Sequence, residues 1–158
     1  MRARDRMTAI DAVTPDELVA RARALVPKLR ARQGETEKQC RIPQQSIDEM
    51  FDAGLYRVQQ PRHYGGLEHG LDTFVRVGIE IASGCGSTGW VFATGAQHQW
   101  QIGMYPAQAQ DDIWKANPRA LTGSSYAPTG NAIAADGGWR VSGRWSFCSG
   151  VELYEWII

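Results

Sequence analysis

Apolar positions recur at three- and four-residue intervals until about residue 117, and from there they alternate with polar ones. Thr14-Pro15-Asp16-Glu17 predicts a helix start: Thr14 as cap, Pro15 in the first turn, Glu17 closing a capping box. Leu18, Leu25, Val26 and Leu29 form its inner face, and the spacing carries it to about Gly34. Pro43 opens a second helix through Ile47, Met50 and Phe51, which Gly54 ends. Gln59 to Gly66 reads as a loop from its Pro and Gly content. A third helix is predicted from Asp72 to Ala82, burying Phe74, Val75 and Ile79, and Gly84-Cys85-Gly86-Ser87 breaks it. Ser87 or Thr88 caps a fourth, with Trp90, Val91, Ala93, Thr94 and His98, and Pro106 begins a short fifth that ends before Asn117-Pro118.

Strands are predicted at Leu121–Tyr126, Asn131–Asp136 and Trp139–Phe147, with Asp136-Gly137-Gly138 as a tight turn. The pattern therefore predicts an α+β chain: an all-α domain of about five helices over residues 1–117, then the start of a β domain over 118–158. Glu155 to Ile158 reads as the opening of an apolar strand whose neighbours the remaining residues do not supply, so the β domain is expected to be incomplete.

Composition narrows the classes. With 43% hydrophobic and 22% charged residues the chain is globular. Lys plus Arg equals Asp plus Glu at 17 each, so no net charge points to a polyanion. Ten of the basic residues lie between Arg2 and Arg41, which we read as a solvated helical face and not a nucleic-acid surface. No apolar run is long enough to span a bilayer, and the Arg-bearing start is not followed by a signal core. Cys40, Cys85 and Cys148 fit neither a disulfide framework nor a zinc site, and a cytoplasmic setting is expected. His63, His69 and His98 lack metal-ligand spacing, so no metal is predicted. Gly84-x-Gly86-x-x-Gly89 follows a helix, where a dinucleotide-binding loop follows a strand.

Chemistry enters through a resemblance. Arg41-Ile42-Pro43, Ala53-Gly54-Leu55-Tyr56, Pro61-x-x-Tyr64-Gly65-Gly66 and Gly86-Ser87-Thr88-Gly89-Trp90 follow the order of the helical N-terminal domain of acyl-CoA dehydrogenases. Gly137 to Phe147 is similar to that family's hairpin entering the flavin site. Gly123 to Asn131 lacks the acids usual in the dehydrogenases, and Phe147-Cys148-Ser149-Gly150 replaces their Trp-x-Thr or Trp-x-Ser. Both versions resemble the oxygenase components of two-component flavin-dependent aromatic monooxygenases, such as the hydroxyphenylacetate and secosteroid hydroxylases and the pigment production hydroxylases.

That resemblance implies a middle domain of β-barrel or sandwich type and a C-terminal helical bundle that these residues do not contain. It implies reduced FMN or FAD delivered by a flavin reductase, O2, a flavin hydroperoxide, a small phenolic substrate, and a homotetramer for a full-length relative. The alternatives are an acyl-CoA dehydrogenase-type FAD oxidoreductase, or an inactive truncated fragment serving at most as an association module.

The resemblance also implies site residues. His98 matches a histidine facing the phenol, and a neutral imidazole can share its proton. Ser124 matches a position lining the substrate and flavin cavity, Phe147 a flat residue against the flavin, and Ser149 a hydroxyl near its reactive edge, with Cys148 between them. Read without the family, His98 is a satisfied helical histidine, Ser124 a strand serine bonded to a neighbour, Phe147 a core aromatic, Cys148 buried filler and Ser149 a turn serine bonding its own backbone. Trp90, Trp100 and Trp114 read as residues that pack helices together or close the pocket, with core placement preferred. The implied site requires the Ser124 strand and the Phe147–Gly150 turn to form one wall of a cleft shared by Ser149 and His98.

Overall fold

The computed structural model describes residues 13–158, so of the ten basic residues between Arg2 and Arg41 the first three, Arg2, Arg4 and Arg6, lie outside the described residues. Among the described residues there are six α-helices: α1 (Pro15–Ala31), α2 (Gln33–Gln39), α3 (Gln44–Asp52), α4 (Leu71–Gly84), α5 (Gly86–Gly103) and α6 (Ala107–Trp114). Short 3-10 turns at Leu55–Arg57 and Arg62–Tyr64 shape the loop between α3 and α4.

Each helix boundary has a local cause. Thr14 Oγ1 accepts the Glu17 amide at 3.2 Å, as the start signal predicts. The Glu17 carboxylate takes the Arg21 guanidinium one turn on, and not the cap amide. The helix ends at Ala31, and Gly34 lies inside the short α2, not at a stop. Gly54, at φ +78°, ends the α3 region in the left-handed conformation that a Cβ disfavours. The break between α4 and α5 is a single extended residue, Cys85, so α5 starts earlier than a Ser87 or Thr88 cap would allow.

α1 packs along α4 and α4 along α5, with the core between them. Leu18, Ala22, Leu25 and Leu29 meet Met50, Leu55, Tyr56, Val77, Ile81, Phe92 and Ala96 there. The inner face of α4 carries Thr73, Val77, Ile81 and Gly84, while Val75 and Ile79 are exposed and Phe74 is half-buried. The expected burial of Val75 and Ile79 is thus corrected. α4 is apolar on two faces, so periodicity alone did not choose between them. The small residue decided: a Cβ on Gly84 would lie 3.0 Å from the Val26 carbonyl oxygen of α1, so close approach is possible only along that face. The tryptophans need the same correction. Trp114 is fully buried, but Trp90 and Trp100 are exposed, because α5 turns Phe92, Gly95, Ala96, Gln99 and Ile102 inward.

The strands are shorter than predicted. β1 (Thr122–Gly123) pairs in parallel with β4 (Trp156–Ile157), while β2 (Asn131–Ala135) and β3 (Gly138–Ser142) form an antiparallel hairpin. Leu121–Tyr126 shrinks to two paired residues, and 143–147 leaves the ladder. Gly137, at φ +73°, makes the hairpin turn. Every residue of β2 and β3 is exposed. Trp156 and Ile157 do find a strand neighbour, β1, on one side.

Candidate functional site

Chain from Pro118 to Thr122 leaves α6 through a turn, closed by the Ala120 amide on the Asn117 carbonyl at 2.9 Å, and three buried side chains hold it. Gln60 Nε2 donates to the Pro118 carbonyl at 2.9 Å, Gln99 Nε2 to Ala120 at 3.3 Å, and the His98 ring meets Thr122 at 2.7 Å. A donor for each spares the cost of a buried, unsatisfied carbonyl. Gln99 is itself fixed, accepting the Trp114 indole N–H at 3.1 Å on Oε1.

This arrangement determines the state of His98. Its Nδ1 faces the Thr122 carbonyl, which can only accept, so Nδ1 carries the proton. Nε2 of the neutral ring is then an acceptor, and Ser124 Oγ, 2.8 Å away, donates to it. His98 is 4% exposed, and burial pushes its pKa below the usual imidazole value, opposed by the Thr122 bond. The result is a neutral imidazole joined to a hydroxyl whose oxygen keeps lone pairs for another donor.

The chain just past β1 adjoins the 144–148 stretch. Ser125 Oγ donates to the Ser146 carbonyl at 2.6 Å, and Thr129 Oγ1 to Arg144 at 2.8 Å. A Cβ placed on Gly123 would lie 3.0 Å from Cys148 Sγ. Cys148 is half-buried, and desolvation pushes its thiol pKa up, so it stays protonated at neutral pH. Phe147 has a positive φ of +63° and is 95% exposed, so it is not a core aromatic.

Ser149 faces elsewhere. Its hydroxyl accepts the Trp90 indole N–H at 3.0 Å, on the wall of a cavity of about 640 Å³ that Arg41, Ser87, Trp90 and Glu152 also line. His98 does not line this cavity. The structure therefore joins His98 to Ser124 and sets Cys148 against Gly123, while the Ser149 hydroxyl lines a cavity that neither His98 nor Ser124 lines, so the expected cleft shared by Ser149 and His98 is not formed by the described residues. His69 is bonded through Nε2 to the Val13 carbonyl, and His63 stands edge-on to Tyr64. Among the described residues no three His, Cys, Asp or Glu side chains gather to hold a metal ion, and no helix is long and apolar enough to cross a membrane.

Sequence reasoning missed Gln60, Gln99 and Tyr154. Gln60 and Gln99 carried no signal, standing among other polar residues beside Gln59 and between His98 and Trp100. Tyr154, whose hydroxyl donates to the Ser149 carbonyl at 2.7 Å, carried none, because its partner depends on the turn at Gly150.

Comparison with known proteins adds the family. A resorcinol hydroxylase described as the FADH2-dependent oxygenase component, from a Rhizobium species, is 40% identical over 141 residues, covering 89% of this chain and 34% of the relative. The flavin-dependent monooxygenase oxygenase subunit HsaA of Rhodococcus jostii is 38% identical, covering 85% of this chain and 35% of its own length. The crystal structure of the HsaA monooxygenase from M. tuberculosis superposes with a TM-score of 0.87 at 33% identity, covering 90% of this chain and 39% of that one. This chain thus spans little more than a third of the length of these proteins. Residues 15–117 match the acyl-CoA dehydrogenase N-terminal domain, and the chain belongs to that family.

Proposed function

We propose that this chain provides part of the active-site wall of an oxygenase component of a two-component flavin-dependent monooxygenase that hydroxylates a phenolic ring. The observation that carries the reading is the Ser124–His98 hydrogen bond, with the tautomer set by the Thr122 carbonyl. The relatives' names supply the reaction class, and residues 118–158 are read as the opening of the β domain that carries the site.

The residues present suit a flat reduced flavin. Phe147 presents an aromatic ring outward from a left-handed backbone, a conformation that costs an L-residue free energy and is found most often where function requires it. Ser149 Oγ accepts from Trp90, which leaves its own O–H to donate. Phe147 and Ser149 would hold the ring on this side, with Cys148 as protonated, half-buried filler between them. Reduced FMN or FAD, delivered by a flavin reductase, supplies the chemistry that activates O2.

The chain's own residues handle the substrate proton. A phenol hydroxyl donates to Ser124 Oγ, which in turn donates to His98 Nε2. Drawing the phenolic proton toward the imidazole raises the electron density of the ring at its ortho carbon, the position hydroxylated. Burial disfavours a full imidazolium, so His98 shares the proton and does not remove it from the relay.

The test is anaerobic titration of the protein with reduced FMN and reduced FAD, then admission of O2 with resorcinol or 4-hydroxyphenylacetate. Flavin binding and a catechol-type or trihydroxybenzene product are expected, with product lost in Ser124→Ala. Failure to bind either reduced flavin would refute the reading.

A further inference from the structure

Tyr154 fills a slot made by three residues that have no side chain. A Cβ on Gly123 would lie 2.1 Å from Tyr154 Cδ2, one on Gly150 would lie 3.0 Å from its hydroxyl, and one on Gly95 would lie 3.5 Å from Cε1. These glycines come from β1, from the turn after Ser149 and from the middle of α5, so one ring touches all three parts of the candidate site. Its hydroxyl donates to the Ser149 carbonyl at 2.7 Å, with Thr94 Oγ1 of α5 3.0 Å away. Thr94 is held in turn by its bond to the Val91 carbonyl. β4 begins two residues later, and the Glu155 amide is fixed to the Leu121 carbonyl at 3.1 Å.

We propose that Tyr154 is a positioning residue that sets the presentation of the Ser149 hydroxyl by fixing the carbonyl of the same residue against α5. The inference rests on the reading of Ser149 as a flavin-facing donor. The geometry is specific to the hydroxyl. A phenylalanine would fill the same glycine slot yet leave the Ser149 carbonyl without its donor. Ser149 then keeps only its bond to Trp90, whose indole is itself exposed.

The test is Tyr154→Phe in this chain, read by proton–nitrogen correlation NMR at the Trp90 indole, assigned by its loss in Trp90→Phe. The Trp90 N–H is expected to shift and to exchange with solvent about fivefold faster, the scale of one net hydrogen bond. The Trp114 indole, bonded to Gln99 in the helical core, is expected to stay unmoved and serves as the control for general loosening. An unchanged Trp90 resonance, or equal movement at Trp114, overturns the proposal. Should Tyr154→Phe fail to fold, 3-fluorotyrosine at position 154 keeps the ring and strengthens its hydroxyl as a donor to the Ser149 carbonyl, and an unmoved Trp90 indole there counts against the proposal in the same way.

Titration with reduced FMN separates this inference from the reading beneath it. Ser149→Ala alone tests whether Ser149 meets flavin, and unchanged affinity there sinks that reading while the NMR result still decides on Tyr154. If Ser149→Ala weakens binding, Tyr154→Phe is expected to weaken it about fivefold, and the double variant no further. Additive losses overturn the proposal.

Discussion

Replacing His98 by Asn and, separately, by Ala divides what the imidazole does for the fold from what it does for Ser124. Asparagine places an amide N–H near the position of Nδ1, so it can keep the donor to the Thr122 carbonyl while removing the acceptor for Ser124. Alanine removes both bonds, at 2.7 and 2.8 Å, from a residue 4% exposed. Two net hydrogen bonds plus the desolvation of an orphaned carbonyl make His98→Ala cost about 3–4 kcal/mol, against about 1 kcal/mol for His98→Asn. Urea unfolding at pH 7.5, extrapolated linearly to water, measures both. A second measurement follows acid. The pKa of His98 lies below its ordinary 6.5 in the folded state, so the unfolded chain binds the proton more readily. The neutral ring's stabilisation is complete above the unfolded value and is lost as pH falls from there through the folded value. The native protein should therefore lose stability more steeply than His98→Asn on acidification below 6.5. Equal losses for Asn and Ala, or parallel acid curves for native protein and His98→Asn, would refute the assigned tautomer.

Phe147→Ala should change unfolding free energy by less than about 0.5 kcal/mol, because the ring is already 95% exposed, while weakening reduced-flavin binding in a fluorescence titration. Unchanged flavin affinity would remove Phe147 from the site. Gly123→Ala drives a methyl to within 2.1 Å of Tyr154 Cδ2 and should displace β4, seen as increased proteolysis after residue 150 and a lower melting temperature. Glu49 has its pKa lowered chiefly by its bond to Arg32, so it contributes stability above the ordinary carboxylate value of 4.5 that is lost as pH falls through the lowered one. Glu49→Gln should cost about 1 kcal/mol at neutral pH after allowance for solvent screening and should flatten that acid limb, while an unaltered limb would assign the acid response elsewhere.

The helical layer was legible because its signals are local. Thr14, Pro43, Gly54 and Pro106 stand at helix boundaries, and the inward residues of α1 and α3 follow from period alone. α4 and α5 were not readable this way, because which of two apolar faces turns inward depends on the small residues Gly84 and Gly95 meeting partners far along the chain. The strands shortened for a similar reason: alternation marks where chain is extended, and a ladder also needs an adjacent strand. His98, Ser124, Phe147, Cys148 and Ser149 came into view only through resemblance. Their bonds join positions 24 or more apart, as His98–Thr122, His98–Ser124 and Trp90–Ser149 show, and no short-range pattern encodes such partners.

Gln60, Gln99 and His98 together work as a gauge for the chain that follows α6. They grip the carbonyls of Pro118, Ala120 and Thr122, so sliding the segment would cost all three bonds and the Asn117–Ala120 turn at once. Any such slide would also carry Ser124 away from the imidazole it now meets at 2.8 Å. Insertions between Trp114 and Thr122 should therefore have to bulge out before Asn117. By the same logic, the hairpin beyond Ser124 could be lengthened or exchanged without moving the serine from its histidine.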